Sequence, residues 1–144
     1  IEKTLKGIDP NAYQSLLSIP GIGPVMAAGI LSEIGYIDAF KNQEALAKYA
    51  GLVWRDNQSG NFQADDTPLS KAGNAYLRYY LIEATSHVKN HCGEFAAFYQ
   101  KKYDEVKIHQ HKRAPALTAR KFVRLIFGLL ANHQLYSSDR VVQA

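Results

Sequence analysis

The sequence lacks the features that would place it in several large classes of protein. It has a single cysteine, Cys92, so an intrachain disulfide is impossible. Its cysteine content therefore does not indicate whether the protein resides in an oxidising or a reducing compartment. No apolar run approaches the roughly 20 residues of a membrane-spanning helix. The N-terminal residues also lack the hydrophobic stretch of a signal peptide. We therefore expect a cytoplasmic protein without a membrane partner.

What is present is a globular composition with an uneven distribution of charge. With 47% hydrophobic and 21% charged residues among 144, a single domain with its own core is expected. Residues 1–70 carry five Lys/Arg against eight Asp/Glu, whereas residues 71–144 carry twelve against five. A basic half in a chain of pI about 9.1 favours a polyanionic partner, with a basic solvated surface as the alternative.

The spacing of apolar residues predicts a mostly α fold: a helix-hairpin-helix, an irregular loop or hairpin, and then three longer packed helices. Short helices are expected at 11–18, at 24–34 and, capped by Asp38 or Asn42, up to Gly51. Residues 52–73 have no helical period and predict the irregular segment. The longer helices are expected from residue 74 to about 92, over 94–106, and from Pro115, because proline suits a first helical turn.

The segment LLSIPGIGPVMAAGI, residues 16–30, matches the helix-hairpin-helix pattern. Gly21 and Gly23 have no Cβ and can adopt positive φ, which permits a tight turn. The N–H groups of Gly21, Ile22 and Gly23, with those that open the next helix, can converge on one anion. A backbone phosphate of a nucleic acid is therefore the predicted ligand, and a plain helix–helix turn is the alternative.

A second candidate site lies where the irregular segment becomes a helix, at SKAGNAYLR, residues 70–78. The hydroxyl of Ser70 can act as a nucleophile once activated, and Lys71 and Arg78 supply the positive charge that phosphoryl transfer requires. On these residues alone, a turn at Ser70 and a helix cap at Asn74 are the simpler interpretation.

Taken in order, the motifs PGIG, EIG, ALAKYAGL, QSG, SKAGNAYLR and ARKF resemble the C-terminal domain of a family of bacterial insertion-sequence transposases. This is the one-ten family, also named for elements one-sixteen and nine-oh-two. The resemblance implies a linker from a missing N-terminal domain at 1–10, the C-terminal domain at 11–136 and a tail at 137–144. Within the domain it implies a hairpin at 11–35, a serine loop at 52–73 and a helical part at 74–136. A chain that lacks an initiator methionine fits this expectation.

The resemblance also implies DNA transposition by strand cleavage and rejoining, in which a serine attacks a DNA strand. Ser70 is then the expected catalytic residue, and Ser59, in the QSG motif, is the alternative. The further residues expected to bind nucleic acid or to place the serine are Lys71, Asn74, Arg78, Arg120 and Lys121.

Cofactors and partners follow from the same resemblance. A divalent metal, Mg²⁺, is expected only in the missing carboxylate-bearing N-terminal domain, so the isolated chain should not cut DNA. DNA is the expected partner, with a structured guide RNA and a homo-oligomer in the full-length protein. Two other functions stay open: a non-catalytic helix-hairpin-helix module that binds DNA or RNA, and a protein-interaction domain.

Two further patterns in the sequence are weaker evidence for function. His87 and His91 stand four residues apart beside Cys92, but the spacing is not that of a recognised zinc site, so no metal is expected in this chain. Tyrosines interleaved with basic residues suit stacking on unpaired bases, although core packing is the simpler explanation for most of them. Those beside Arg78 are Tyr76, Tyr79 and Tyr80.

Overall fold

A computed structural model describes residues 9–54, 69 and 72–138 of the chain. Its helices are α1 (Pro10–Leu17), α2 (Pro24–Ile34), α3 (Gln43–Tyr49), α4 (Ala75–Val88), α5 (Gly93–Asp104) and α6 (Gln110–Ala131). A short 3-10 turn, Ile37–Ala39, lies between α2 and α3. Within the described ranges the β-type pairing is a single bridge between Trp54 and Leu69. The mostly α fold predicted from the sequence is confirmed.

The core is built around the long helix α6, which packs against α1, α3, α4 and α5. Its side chains Phe122, Val123 and Ile126 are fully buried. The apolar side chains of one face of α4 are also fully buried: Leu77, Leu81, Ala84 and Val88. Because these positions recur every three to four residues, one face of α4 is turned to the core and the other is left to the surface.

Pro115 does not open α6, so the predicted start of this helix is wrong. The helix begins at Gln110, and Pro115 lies inside it. Proline cannot donate to the carbonyl four residues earlier, and its ring crowds that carbonyl. The flanking residues Ala114 and Ala116 are nonetheless buried, and this burial favours a continuous helix. Residues 110–114, which were predicted to lie outside the helix, are therefore helical.

Helices α2 and α4 run antiparallel and in close contact. In the middle of α2, a Cβ added to Gly29 would lie 2.6 Å from the ring of Tyr80. In the turn before α2, a Cβ added to Gly21 would lie 2.9 Å from the carbonyl oxygen of His87. Positions 21 and 29 thus meet positions 87 and 80, in the order that an antiparallel pair requires. The turn before α2 is consequently fixed to the C-terminal end of α4.

Candidate nucleic-acid interface

The turn between α1 and α2 depends on one of its two glycines. Gly21 has a φ of 97°, a region that favours glycine, and it has no room for a side chain. Gly23 does not adopt the positive φ that was expected: its backbone is extended, with φ −98° and ψ 178°. No atom lies within 4 Å of the place where its Cβ would be. Gly21 therefore serves the fold, whereas Gly23 borders open surface.

The first turn of α2 presents backbone N–H groups that no described residue accepts. The N–H of Ile22 donates to the carbonyl of Ile19 at 3.1 Å and its side chain is buried, so Ile22 belongs to the core. Within the described ranges, the N–H groups of Gly23, Val25 and Met26 have no acceptor, and no side chain caps the helix. Val25 is 82% exposed. Free amides at a helix N-terminus, with its partial positive charge, form an anion site.

The predicted serine loop, residues 52–73, begins three residues after the end of α3. Ser59, Ser70 and Lys71 lie outside the described residues. The bridge between Trp54 and Leu69 brings together the two strands of chain that flank residues 55–68. A shallow depression of about 430 Å³ adjoins this place, and it is lined by Ala45, Lys48, Tyr49, Val53, Ala72 and Gly73.

Three residues after Ser70 in the sequence, Gly73 and the following Asn74 are held tightly against the end of α3. Gly73 has a φ of 120°, and a Cβ there would lie 2.5 Å from the carbonyl oxygen of Tyr49. The N–H of Asn74 donates to that same carbonyl at 2.6 Å. The glycine and asparagine of the SKAGN motif therefore hold the chain against α3, which fixes the point where the serine loop ends.

The side chain of Asn74 is fully used within the protein. Its Oδ1 accepts the N–H groups of Tyr76 and Leu77, which caps α4 as predicted. Its Nδ2 donates to Oε2 of Glu33 at 2.8 Å and to the hydroxyl of Tyr49 at 3.1 Å. This arrangement suits a residue that places the serine loop, and it leaves no polar side-chain atom of Asn74 for a phosphate.

The turn before α2 and the end of the serine loop lie at opposite ends of α4. Gly21 packs against His87 at the C-terminal end, and Asn74 caps the N-terminal end. Helix α4 has 14 residues, and at 1.5 Å per residue its ends are about 20 Å apart. A phosphate bound at the turn before α2 would therefore lie at the other end of α4 from the Asn74 cap.

Arg78 lies in the first turn of α4, close to Gly73 and Asn74, which hold the chain against the end of α3. Its guanidinium is 3.5 Å from the carbonyl oxygen of Ala50, which is long for a hydrogen bond, so the group keeps donors for another acceptor. Tyr76 and Tyr79 are 73% and 61% exposed, and core packing is therefore the wrong explanation for these two. Tyr80 is half-buried against α2.

The two residues of the ARK motif face different neighbours. The guanidinium of Arg120 donates to Oε1 of Gln43, at the start of α3, at 3.0 Å. The ammonium of Lys121 forms an ion pair of 2.6 Å with Glu94, at the start of α5. Adjacent residues of a helix point about 100° apart, so the two cations do not share a surface. Only Arg120 is left with a neutral partner.

Sequence reasoning missed the partners that fix these side chains. Glu33 is 41 residues from Asn74, and no local pattern connects the two. Arg124 also reaches Gln43, at 3.4 Å, and here a signal was present. Residues four apart share one face of a helix, so the spacing of Arg120 and Arg124 could have indicated the pair.

The described ranges contain no group of three or more His, Cys, Asp or Glu that could hold a metal ion. A search of the same ranges for a helix with the length and apolarity to cross a membrane finds none.

Comparison with known proteins decides the family. The sequence model described as Transposase IS116/IS110/IS902 family matches residues 13–100. The chain belongs to this transposase family. It is 30% identical over 127 residues to the transposase for insertion sequence element IS1111A of Coxiella burnetii, which covers 85% of the chain and 34% of that protein.

Two further relatives extend this result. A probable family 20 transposase of Pseudomonas aeruginosa is 34% identical over 79 residues, 55% of the chain and 23% of that protein. An insertion element IS116 uncharacterized protein of Streptomyces clavuligerus is 27% identical over 124 residues, 83% of the chain and 29% of that protein. The chain spans about a third or less of the length of these relatives. The resemblance deduced from the spaced motifs is confirmed.

Proposed function

We propose that this chain is the DNA-holding, serine-contributing C-terminal part of an insertion-sequence transposase. The observation that carries the proposal is the set of backbone N–H groups of Gly23, Val25 and Met26, for which the described residues supply no acceptor. Such amides bind a phosphate oxygen without reading bases. The α1–α2 unit then acts as a helix-hairpin-helix that grips a DNA backbone independently of its sequence.

The dimensions of α4 give the grip a defined place relative to the reaction. The turn before α2 packs at the C-terminal end of α4, and the N-terminal end of this helix, where the serine loop ends, is about 20 Å away. Successive phosphates of one strand advance by about 3.4 Å along the duplex axis, so this length corresponds to about six phosphates. The hairpin is therefore an anchor on the flanking duplex, and the strand to be cut lies further along it.

The reaction assigned to Ser70 is transfer of a phosphodiester. Its Oγ loses a proton and forms a bond to phosphorus, while the bond from phosphorus to one sugar oxygen breaks and that oxygen takes up a proton. Attack by a hydroxyl of the receiving strand then restores the serine and rejoins the DNA. Arg78 and Lys71 supply positive charge against the extra negative charge on the phosphate.

Other components belong to the full-length protein in this proposal. The carboxylates of an N-terminal domain would hold Mg²⁺, a structured RNA of the element would guide recombination, and a homo-oligomer would combine site halves from different subunits. The second candidate function is a non-catalytic module that only positions DNA or RNA. The N–H groups of α2 support this non-catalytic function equally well, because binding a phosphate there requires no serine.

Charge substitution at Val25 tests the DNA grip. Since Val25 is 82% exposed beside the free amides, Val25→Glu should repel a bound phosphate while leaving the fold intact. A charge about 4–6 Å from a phosphate at high dielectric contributes about 1 kcal/mol, so affinity for a short duplex should fall about fivefold. Val25→Lys should raise the affinity by a similar factor. Fluorescence anisotropy with labelled duplex at low salt measures both.

A matched pair of exposed sites controls for net charge. Ile108 is 62% exposed and lies in the segment between α5 and α6, and Ile108→Glu and Ile108→Lys change net charge by the same amounts as the Val25 variants. Equal effects of the Val25 and Ile108 variants would show that only overall charge matters. That result would contradict a phosphate bound at α2.

A further inference from the structure

On the face of α6 that meets α3, two arginines converge on one neutral oxygen. The Nη1 of Arg120 lies 3.0 Å, and the Nε of Arg124 lies 3.4 Å, from Oε1 of Gln43. Positions 120 and 124 are one helical turn apart, so both guanidiniums project toward the start of α3. The ion pairs found within the described ranges involve other cations. Two like charges therefore share a single uncharged acceptor.

The positive charge of this pair is only weakly compensated. Burial lowers the pKa of the Arg120 guanidinium, and the charge of Arg124 lowers it further, whereas Glu44 acts in the opposite direction. Each guanidinium has five N–H donors, and Gln43 accepts one from each, so most donors of the exposed Arg124 remain available. An anion with several acceptor oxygens would satisfy these donors and neutralise the repulsion.

We propose that Arg120, Arg124 and Gln43 form a phosphate site that holds the backbone of a nucleic acid. Guanidinium groups match phosphate in geometry, since each can donate two parallel N–H bonds to its oxygens. Helix α3 has seven residues, so Gln43 at its start lies about 9 Å from Tyr49 at its end. Tyr49 is where Gly73 and Asn74, at the end of the serine loop, contact α3. The site is thus nearer to the serine loop than the α2 turn is. This inference rests on the proposed function in DNA binding.

Gln43→Glu is the sharpest variant for this site. A carboxylate at position 43 keeps the shape of glutamine, pairs with both arginines and is favoured at the first residue of α3 by the helix dipole. We expect the melting temperature to rise while the affinity for DNA falls. In a plot of log affinity against log NaCl for a short duplex, the slope should lose about 0.9 for each phosphate contact removed.

Arg124→Gln should reduce the slope by the same amount through loss of the cation. Because Arg124 is exposed, this variant should fold normally. Arg113→Gln is the control, since Arg113 lies on the same helix and is already paired with Glu105 at 3.0 Å. Its slope should match that of the unaltered chain.

The outcomes separate this inference from the proposed function. If the chain binds duplex and both Gln43→Glu and Arg124→Gln keep the original slope, the inference is overturned and the grip at α2 stands. If the chain shows no salt-dependent binding to DNA, both fail. Inorganic phosphate at constant ionic strength distinguishes the source of the anion. Thermal stabilisation by phosphate that Gln43→Glu abolishes, together with an unchanged DNA slope, would assign the site to free phosphate and contradict a backbone role.

Discussion

Gly73→Ala is expected to lower the free energy of unfolding by roughly 3 kcal/mol, through strain and a steric clash. At this position φ is 120°, and the new Cβ would lie 2.5 Å from the carbonyl oxygen of Tyr49 and 2.9 Å from the N–H nitrogen of Gly51. Both contacts are to backbone, which cannot move aside as a side chain would. For a chain of this size the melting temperature should fall by about 10 °C. Thermal unfolding followed by circular dichroism measures the change.

Gly128→Ala is the matched control for this substitution. Gly128 lies in the interior of α6, and no atom is within 4 Å of the place where its Cβ would be. Glycine inside a helix costs about 0.5–1 kcal/mol relative to alanine, so this variant should be more stable than the original chain. A Gly73→Ala variant as stable as the original would show that the close packing of Gly73 against the end of α3 is absent in solution.

Ser70→Ala should reduce strand transfer by the full-length transposase to background, with duplex binding unchanged. The expected loss is large because the substitution removes the only oxygen that forms the bond to phosphorus. The α2 amides and the Arg120–Arg124 pair do not involve Ser70, and binding should therefore survive. An assay of excision and joining on a donor plasmid, run beside an anisotropy titration, separates the two effects.

Ser59→Ala is the natural comparison. It should retain strand transfer, and the covalent DNA–protein adduct trapped with full-length protein should map by peptide analysis to position 70. An adduct at Ser59 would exchange the roles of the two serines. Strand transfer by the Ser70→Ala protein would favour the module that only positions nucleic acid.

The isolated chain tests whether DNA cleavage requires the N-terminal domain as well as this part. Without the carboxylates assigned to the N-terminal domain, it should not nick supercoiled plasmid in the presence of Mg²⁺. Metal-dependent nicking by the pure chain, lost in Ser70→Ala, would place the whole reaction in this part.

The helices could be predicted from the sequence because their signals are local. The proline and glycine that bound α2, the asparagine that caps α4 and its buried stripe all act within a few residues of the element they define. The start of α6 could not be predicted in this way. A proline at the sixth position weakens a helix locally, and only the burial of neighbouring alanines against other helices outweighs it.

In the candidate site too, features set by local sequence could be predicted, whereas contacts between distant residues could not. The glycines of the α2 turn were found from their pattern, but the requirement for Gly21 comes from the backbone of α4, 66 residues later. The partners Glu33 and Gln43 are distant in sequence from the side chains that they bind. Motifs therefore located the residues, whereas tertiary contacts decided which of them hold the fold and which face the surface.

Amide NMR of the chain titrated with a short DNA duplex tests the central claim most directly. Binding at the start of α2 predicts that the largest ¹⁵N–¹H shift changes fall on Gly23, Val25 and Met26, whose N–H groups lack an acceptor among the described residues. The signal of Ile22, whose N–H is bonded to Ile19, should change less. Changes confined to other surfaces, with the α2 amides unmoved at saturating duplex, would contradict the proposal that this turn holds the DNA backbone.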